Sequence, residues 1–176
     1  MKIAICGKMC SGKTTIANYI MRTFSGYKKY SFGQKVKDLC VELFNMKEKD
    51  RSLLIKFANS MREIDSNVWI NQVLKVTKGE DNCIIDDVRY QNEVDALIKD
   101  GWSFIQINIP YELQTNRIIK WYPNNYQDHL KNRNHLSEQN SFEFSKNIHV
   151  LVLNINNTNE KEIIQNINLF IIINNK

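Results

Sequence analysis

Gly7-Lys8-Met9-Cys10-Ser11-Gly12-Lys13-Thr14 has the spacing G-x-x-x-x-G-K-[ST], which a chain of this length matches by chance with a probability on the order of 1%. The chemistry it can do is phosphate binding. Glycines at both ends let the backbone wrap with its N–H groups pointing inward, and the following helix adds its N-terminus to the same anion cradle. Lys13 is expected to bridge the β- and γ-phosphates of ATP. The Thr14 hydroxyl is expected to ligate Mg²⁺, and Thr15 to contact the α-phosphate. The plainer alternative is a glycine turn that merely joins a strand to a helix. Its context argues for the phosphate loop (P-loop), because the motif follows an apolar strand and opens a helical pattern.

A second feature with chemical capacity is the pair Asp86 and Asp87, which close the apolar run CII. At the carboxyl end of a strand beside the P-loop strand, a carboxylate can reach Mg²⁺ directly or through water. Successive side chains on a strand point to opposite faces, so only one of the two should face the ligand.

The elements that must position these groups follow from hydrophobic periodicity. Residues 2–6 read as a strand ending at Gly7, and Ile16, Ala17 and Ile20 share one face of the next helix. Residues 28–32 read as a second strand, after which Val36, Leu39, Cys40, Leu43 and Phe44 fall at helical spacing. Helices are expected at about 50–64 and 66–77. The strand ending at Asp86 and Asp87 is followed by a helix carrying Val94, Leu97 and Ile98 and stopped by Gly101. A strand at 102–110 and a short helix at 111–121 come next. Residues 122–147 read as polar and irregular, and a strand at 148–155 and a helix at 159–173 complete the chain. Strands alternating with helices, each strand a continuous apolar run, predict a three-layer α/β domain with a parallel sheet of about five strands.

Composition narrows the function. With 176 residues, 43% of them hydrophobic, the chain has the size of one domain. Its 24 basic residues are nearly matched by 19 acidic ones, so the net charge of +5 is no nucleic-acid footprint. The apolar run Leu169 to Ile173 is far too short to span a bilayer. Cys6, Cys10, Cys40 and Cys83 are irregularly spaced and form no C-x-x-C pair, which fits reduced thiols in the cytoplasm, and no export segment is read at the N-terminus. The sequence has no separate N-K-x-D base-reading segment, which counts against a GTPase, and it is short for a motor ATPase. A kinase of a small molecule or nucleotide remains.

SFGQKVKDL at 31–39, RSLLIKFANSMREIDSNVW at 51–69, IIDDVRYQNEVDAL at 84–97 and HLSE at 135–138 together resemble the deoxynucleoside monophosphate kinase family encoded by several viruses, a branch of the P-loop nucleoside monophosphate kinases. The resemblance implies one domain over residues 1–176 with the three-layer P-loop kinase fold. Its acceptor-binding helical region would span about 33–77 and its lid about 111–139. The donor would be ATP with Mg²⁺, held by Gly7, Lys8, Met9, Cys10, Ser11, Gly12, Lys13, Thr14 and Thr15, with the adenine contact after the last strand at Asn156 and Thr158. Phe32 and Lys37 match the ends of the family's F-A-D-x-L-K-like segment, although Gly33 and Gln34 replace the commoner Ala and Asp. Arg62 would clamp the acceptor monophosphate bidentately. Asp65 and Trp69 follow it on the same helical region, with a core role as the alternative for Trp69.

Asp87 matches the aspartate of the family's D-V-R-x-x-N-E motif, as metal ligand or acceptor contact, and Arg89, Asn92 and Glu93 complete that motif. His135 falls in the acceptor set through the H-x-S-E segment, which Ser137 and Glu138 complete. Arg117 and Arg133, with Lys120 behind them, would stabilise charge during transfer together with Lys13. The implied partner is a nucleoside monophosphate, deoxy by the resemblance, rather than a nucleic acid polymer or a membrane. A homodimer is compatible with the resemblance, and the location would be the host cytoplasm for a virus-encoded enzyme. Two rival readings stand beside it: another small-molecule kinase, such as a phosphomevalonate kinase, and a nucleotide-binding regulatory ATPase.

Overall fold

The computed structural model describes residues 1–48, 50–131, 133, 138, 141–156 and 159–174, and every neighbour named below is one of these. Five strands, β1 (Lys2–Gly7), β2 (Lys28–Tyr30), β3 (Cys83–Val88), β4 (Ser103–Asn108) and β5 (Val150–Asn154), pair in the order β2-β3-β1-β4-β5, all parallel. The P-loop strand β1 is therefore central. Parallel neighbours need crossovers, which the helices α1 (Lys13–Thr23), α2 (Phe32–Phe44), α3 (Arg51–Ile64), α4 (Val68–Val76), α5 (Gln91–Lys99), α6 (Tyr111–Trp121), α7 (Tyr126–Lys131) and α8 (Glu160–Asn174) supply.

Alternation along the strands feeds two cores. Ile3, Ile5, Ile84 and Ile105 face α1 and α8, where Ile16, Ala17, Ile20, Ile167 and Ile171 meet them. Ala4, Cys6, Ile85 and Phe104 face the opposite layer, where α2, α4 and α5 contribute Val36, Cys40, Trp69, Val73, Val94 and Leu97. A slip of one residue would exchange these faces, so the register is strongly specified. This is the three-layer α/β arrangement with a five-stranded parallel sheet that the alternation of elements predicts, and it agrees with the fold that the resemblance implies.

The register between β1 and β3 shifts where it matters for the site. Ala4 pairs with Ile85 but Cys6 pairs with Val88, so Asp86 and Asp87 together stand opposite Ile5. A bulge of this kind re-aims the side chains at a strand's end. On the far side of α5, Gly101 (φ 79°) ends the helix: its N–H bonds to the Ile98 carbonyl and that of Trp102 to Leu97, the pairing of a Schellman cap.

Two expectations change. Leu43 and Phe44 have the spacing of a buried face but are more than half exposed, with the Phe44 ring edge-on to Phe57 at 5.8 Å. The segment read as irregular from 122 contains α7, which packs against α6 with the Tyr122 and His129 rings 4.0 Å apart. Farther on, Phe142 and Phe144 pack on the core, with Phe144 5.1 Å from Phe104. Isolated aromatics in a polar stretch anchor without any periodic signal. Among the described residues no helix is long and apolar enough to cross a membrane.

Candidate active site

Between β1 and α1 the P-loop takes a shape that its own residues and α6 impose together. A Cβ at Gly7 would lie 2.7 Å from Ser11 Oγ and 3.0 Å from the Ile107 carbonyl oxygen, so only glycine fits. Gly12 has φ +105°, and Cys10 occupies the left-handed region at φ 60°, which costs a non-glycine residue on the order of 1 kcal/mol. The loop's carbonyls are held from outside. Gln114 Nε2 donates to the Met9 carbonyl at 3.0 Å, and Arg117 Nη1 donates to those of Cys10 and Ser11 at 3.1 and 3.3 Å. Gln114 and Arg117, three positions apart on α6, thus share one helical face.

Lys13 turns back on the loop, its Nζ donating to the carbonyls of Gly7 (2.6 Å) and Lys8 (2.8 Å). Burial lowers its pKa to about 8, helped by the neighbouring Arg89 guanidinium and opposed by the carboxylates of Glu138 and Asp86. Carbonyl oxygens are modest partners for an ammonium group, and a polyphosphate is a stronger one. At the start of α1 the Thr14 hydroxyl donates to Asp86 Oδ2 at 2.8 Å. A hydroxyl and a carboxylate oxygen suit a hard divalent cation, and the loop's amides with Lys13 suit its phosphates, so these residues fit ATP with Mg²⁺.

The two aspartates divide as the pleat demands, in the opposite sense to the resemblance. Asp86, not Asp87, lies against Thr14. Asp87 instead caps α2: it accepts from Phe32 N–H (3.0 Å), Gly33 N–H (2.9 Å) and the Ser31 hydroxyl (2.6 Å). The reason is geometric, because Asp86 shares the face of Ile84, toward α1, and Asp87 that of Ile85, toward α2.

Beside the P-loop lies a cleft of about 390 Å³ between α2, α3 and the β3–α5 turn. Phe32, Val36, Leu54 and Ala58 give it an apolar wall, and Lys37, Arg62 and Arg89 bring cations to it. Arg62 stacks over the Tyr90 ring at 4.8 Å, donates to Asn59 Oδ1 at 3.2 Å and stands 3.9 Å from Glu93. Glu93 is buried. Its Oε2 accepts from the backbone N–H groups of Arg89 (2.7 Å) and Tyr90 (3.1 Å), and desolvation nevertheless raises its pKa to about 7. Glu138 joins the cleft to the loop, accepting from Met9 N–H at 2.6 Å and from Arg89 Nη1.

Several expected members are elsewhere. Trp69 is a core residue, 3% exposed, with Nε1 donating to the Ala58 carbonyl. Asp65 shapes the α3–α4 joint by accepting from Asn67 N–H at 2.8 Å, and Asn92 donates to the Ser66 carbonyl near the same joint at 3.4 Å. Neither lines the cleft. Asn156, expected at the donor adenine, is exposed just past β5. Arg133 makes its contacts on α6, over the Tyr111 ring at 3.6 Å and donating to Thr115 Oγ1, whereas Arg117 donates to the loop. His135, Ser137 and Thr158 lie outside the described residues.

Gln114, Asp86 as the threonine's partner, and Glu138's bond to Met9 are site features that the residue pattern did not assign. The doubled aspartate signalled one of them. The others join positions more than 100 residues apart, for which a single sequence carries no sign.

The family described as AAA domain matches residues 3–120. Solved structures share the fold at low identity. A sugar kinase from Janibacter sp. HTCC2649 is 15% identical, with TM-score 0.55 and coverage of 98% of this chain and 95% of that one. A gluconokinase from Sinorhizobium meliloti 1021 gives 12%, 0.56, 97% and 91%, and a shikimate kinase from Bacteroides thetaiotaomicron gives 14%, 0.51, 98% and 97%. No curated protein sequence matches the chain.

Proposed function

This chain belongs to the AAA domain family, and from that premise we propose that it transfers the γ-phosphoryl group of ATP to a nucleoside monophosphate, in deoxynucleotide metabolism. The observation that carries this reading is the cleft beside the P-loop, where Arg62 and Arg89 stand over an apolar wall. Two guanidinium groups, held by the cleft carboxylates Glu93 and Glu138, suit an acceptor that is itself an anion, and an apolar wall suits a base. The solved kinases of this fold act, by their names, on a sugar, gluconate and shikimate, so the shared fold supports phosphoryl transfer to a small molecule.

The chemistry asks the protein mainly for positioning and charge neutralisation. Lys13 leaves the Gly7 and Lys8 carbonyls for the phosphates, as the inward amides of the loop hold the donor in line. Arg62 and Arg89 orient the acceptor, whose phosphate oxygen is already anionic near neutral pH and needs little help from a base. Thr14, with Asp86 accepting its hydroxyl, would hold Mg²⁺, which when bound would supply charge neutralisation at the transferring phosphate. Arg117 keeps the loop's shape from outside, which is a positioning role.

We take residues 1–176 as one catalytic domain, with α2 to α4 presenting the acceptor and α6 and α7 forming the lid side. The deciding experiment measures ATP consumption and acceptor phosphorylation against the common deoxy- and ribonucleoside monophosphates, with phosphomevalonate included. Turnover with a nucleotide is expected. Phosphomevalonate as the sole acceptor would move the assignment to that kinase class, and slow hydrolysis with no acceptor product would make the protein a regulatory ATPase.

A further inference from the structure

We propose that Lys29 keeps divalent metal away from the Thr14–Asp86 pair until a nucleotide brings it. The proposal rests on the reading of the P-loop as a metal–nucleotide site.

Asp86 is 6% exposed, at the end of β3. Its Oδ2 accepts from two donors at once, Thr14 Oγ1 at 2.8 Å and Lys29 Nζ at 2.6 Å. The lysine comes from β2, where it pairs with Ile84, two positions before Asp86. That register puts the Lys29 and Asp86 side chains on the same face of the sheet. β2 is a three-residue edge strand, so the lysine stem runs along the rim and keeps 31% of its surface exposed. Its neighbour Lys28 instead pairs with Glu80 at 2.9 Å. Lys29 is thus the lysine of this strand that is directed at the site.

A buried carboxylate beside a threonine hydroxyl is a hard-oxygen pair that would attract a divalent cation by itself. An ammonium group on the same oxygen cancels that charge and repels a second cation, in a setting where unit charges a few ångströms apart interact strongly. A nucleotide polyphosphate reverses the balance, since it contributes several negative charges and its own oxygens as ligands. The metal then enters as part of the complex. Lys29 makes the site selective for the loaded nucleotide over the free ion.

The test measures retention of Mn²⁺ alone, by the electron paramagnetic resonance signal of the free ion, on the full chain without nucleotide. Lys29→Met is expected to bind Mn²⁺ roughly tenfold more tightly than the wild type, and Lys29→Arg, which keeps the charge, to behave as the wild type. Lys29→Gln, which keeps a donor without the charge, gives the same comparison should the methionine variant fail to fold. Equal Mn²⁺ affinity in the wild type and the neutral variants would overturn the proposal, and so would tightening in the arginine variant. Adding a non-hydrolysable ATP analogue separates the two levels. Analogue-dependent Mn²⁺ retention by the wild type preserves the functional reading even where the lysine effect is missing, whereas no retention in any variant overturns both.

Discussion

Removing either of the two neighbouring carboxylates on β3 is expected to cause a different loss, because Asp86 meets the P-loop threonine and Asp87 the first turn of α2. Asp87→Ala should lower stability by about 1–2 kcal/mol through the lost cap, read from the denaturant midpoint, and leave the metal dependence of nucleotide binding in place. Asp86→Ala should weaken that metal dependence in binding calorimetry; a normal Mg²⁺ response would remove Asp86 from the site. Lys13→Ala should abolish transfer with the fold retained by circular dichroism, and wild-type turnover in that variant would end the P-loop assignment. Lys13 also gives a signed pH effect. Its pKa of about 8 means that the ammonium is progressively lost above that pH. Phosphate favours the charged form, so nucleotide affinity should fall as pH rises through about 8, and binding at pH values above it should take up a proton. Calorimetry in buffers of different ionisation enthalpy measures that uptake. The P-loop was legible in the sequence at this scale because all its parts are contiguous. The division of labour between Asp86 and Asp87 was not, because it depends on which face of a bulged strand each one occupies.

Among the elements, α5 carries the clearest linkage between charge and folding. Glu93 accepts the N–H groups of Arg89 and Tyr90 at the helix start, yet burial raises its pKa from 4.5 to about 7. A raised carboxyl pKa means that the folded state holds the proton more tightly than the unfolded chain. The associated stability is therefore fully present below about pH 4.5 and is lost as pH rises through about 7, with a full extent of roughly 3 kcal/mol. Glu93→Gln should flatten that part of the stability–pH curve, measured by chemical denaturation from pH 4.5 to 8; an unchanged slope would show that another group is responsible. Arg62, at the end of α3, tests the cleft: Arg62→Ala should raise the acceptor KM much more than that of ATP. Loss of stability alone would make it a partner of Glu93 and no more. The helices with strong apolar periodicity, α1 and α5, were readable from their residues, whereas α7 escaped because six residues with a buried histidine show no stripe.

For the molecule as a whole, the parallel order β2-β3-β1-β4-β5 threads sequence-distant segments through one sheet. The one-domain reading proposed above predicts unfolding in one step, with the fluorescence of the core residues Trp69 and Trp102 and the far-ultraviolet dichroism changing at the same denaturant concentration. Separate transitions would overturn that reading and divide α2 to α4 from the sheet. The alternation of strands and helices made the fold class legible because each βαβ unit is written locally. The cleft was legible only in its cations. Arg62 and Arg89 reach it from α3 and from the turn after β3, while Trp69 and Asp65, close to Arg62 in sequence, end in the core and in a turn.

The grip of Gln114 and Arg117 on three successive loop carbonyls has a consequence in time. A loop whose carbonyls are already held from outside has no slow search of its own to complete. The groups that must move are side chains, Lys13 from the Gly7 and Lys8 carbonyls and the Glu138 carboxylate from Met9 N–H, and side-chain rotations are fast beside a backbone rearrangement. Capture of a fluorescent nucleotide should therefore follow a single exponential whose rate climbs in proportion to ligand concentration without reaching a plateau. Removing the Gln114 amide should introduce the plateau, as the loop begins to wander between shapes before it can be filled.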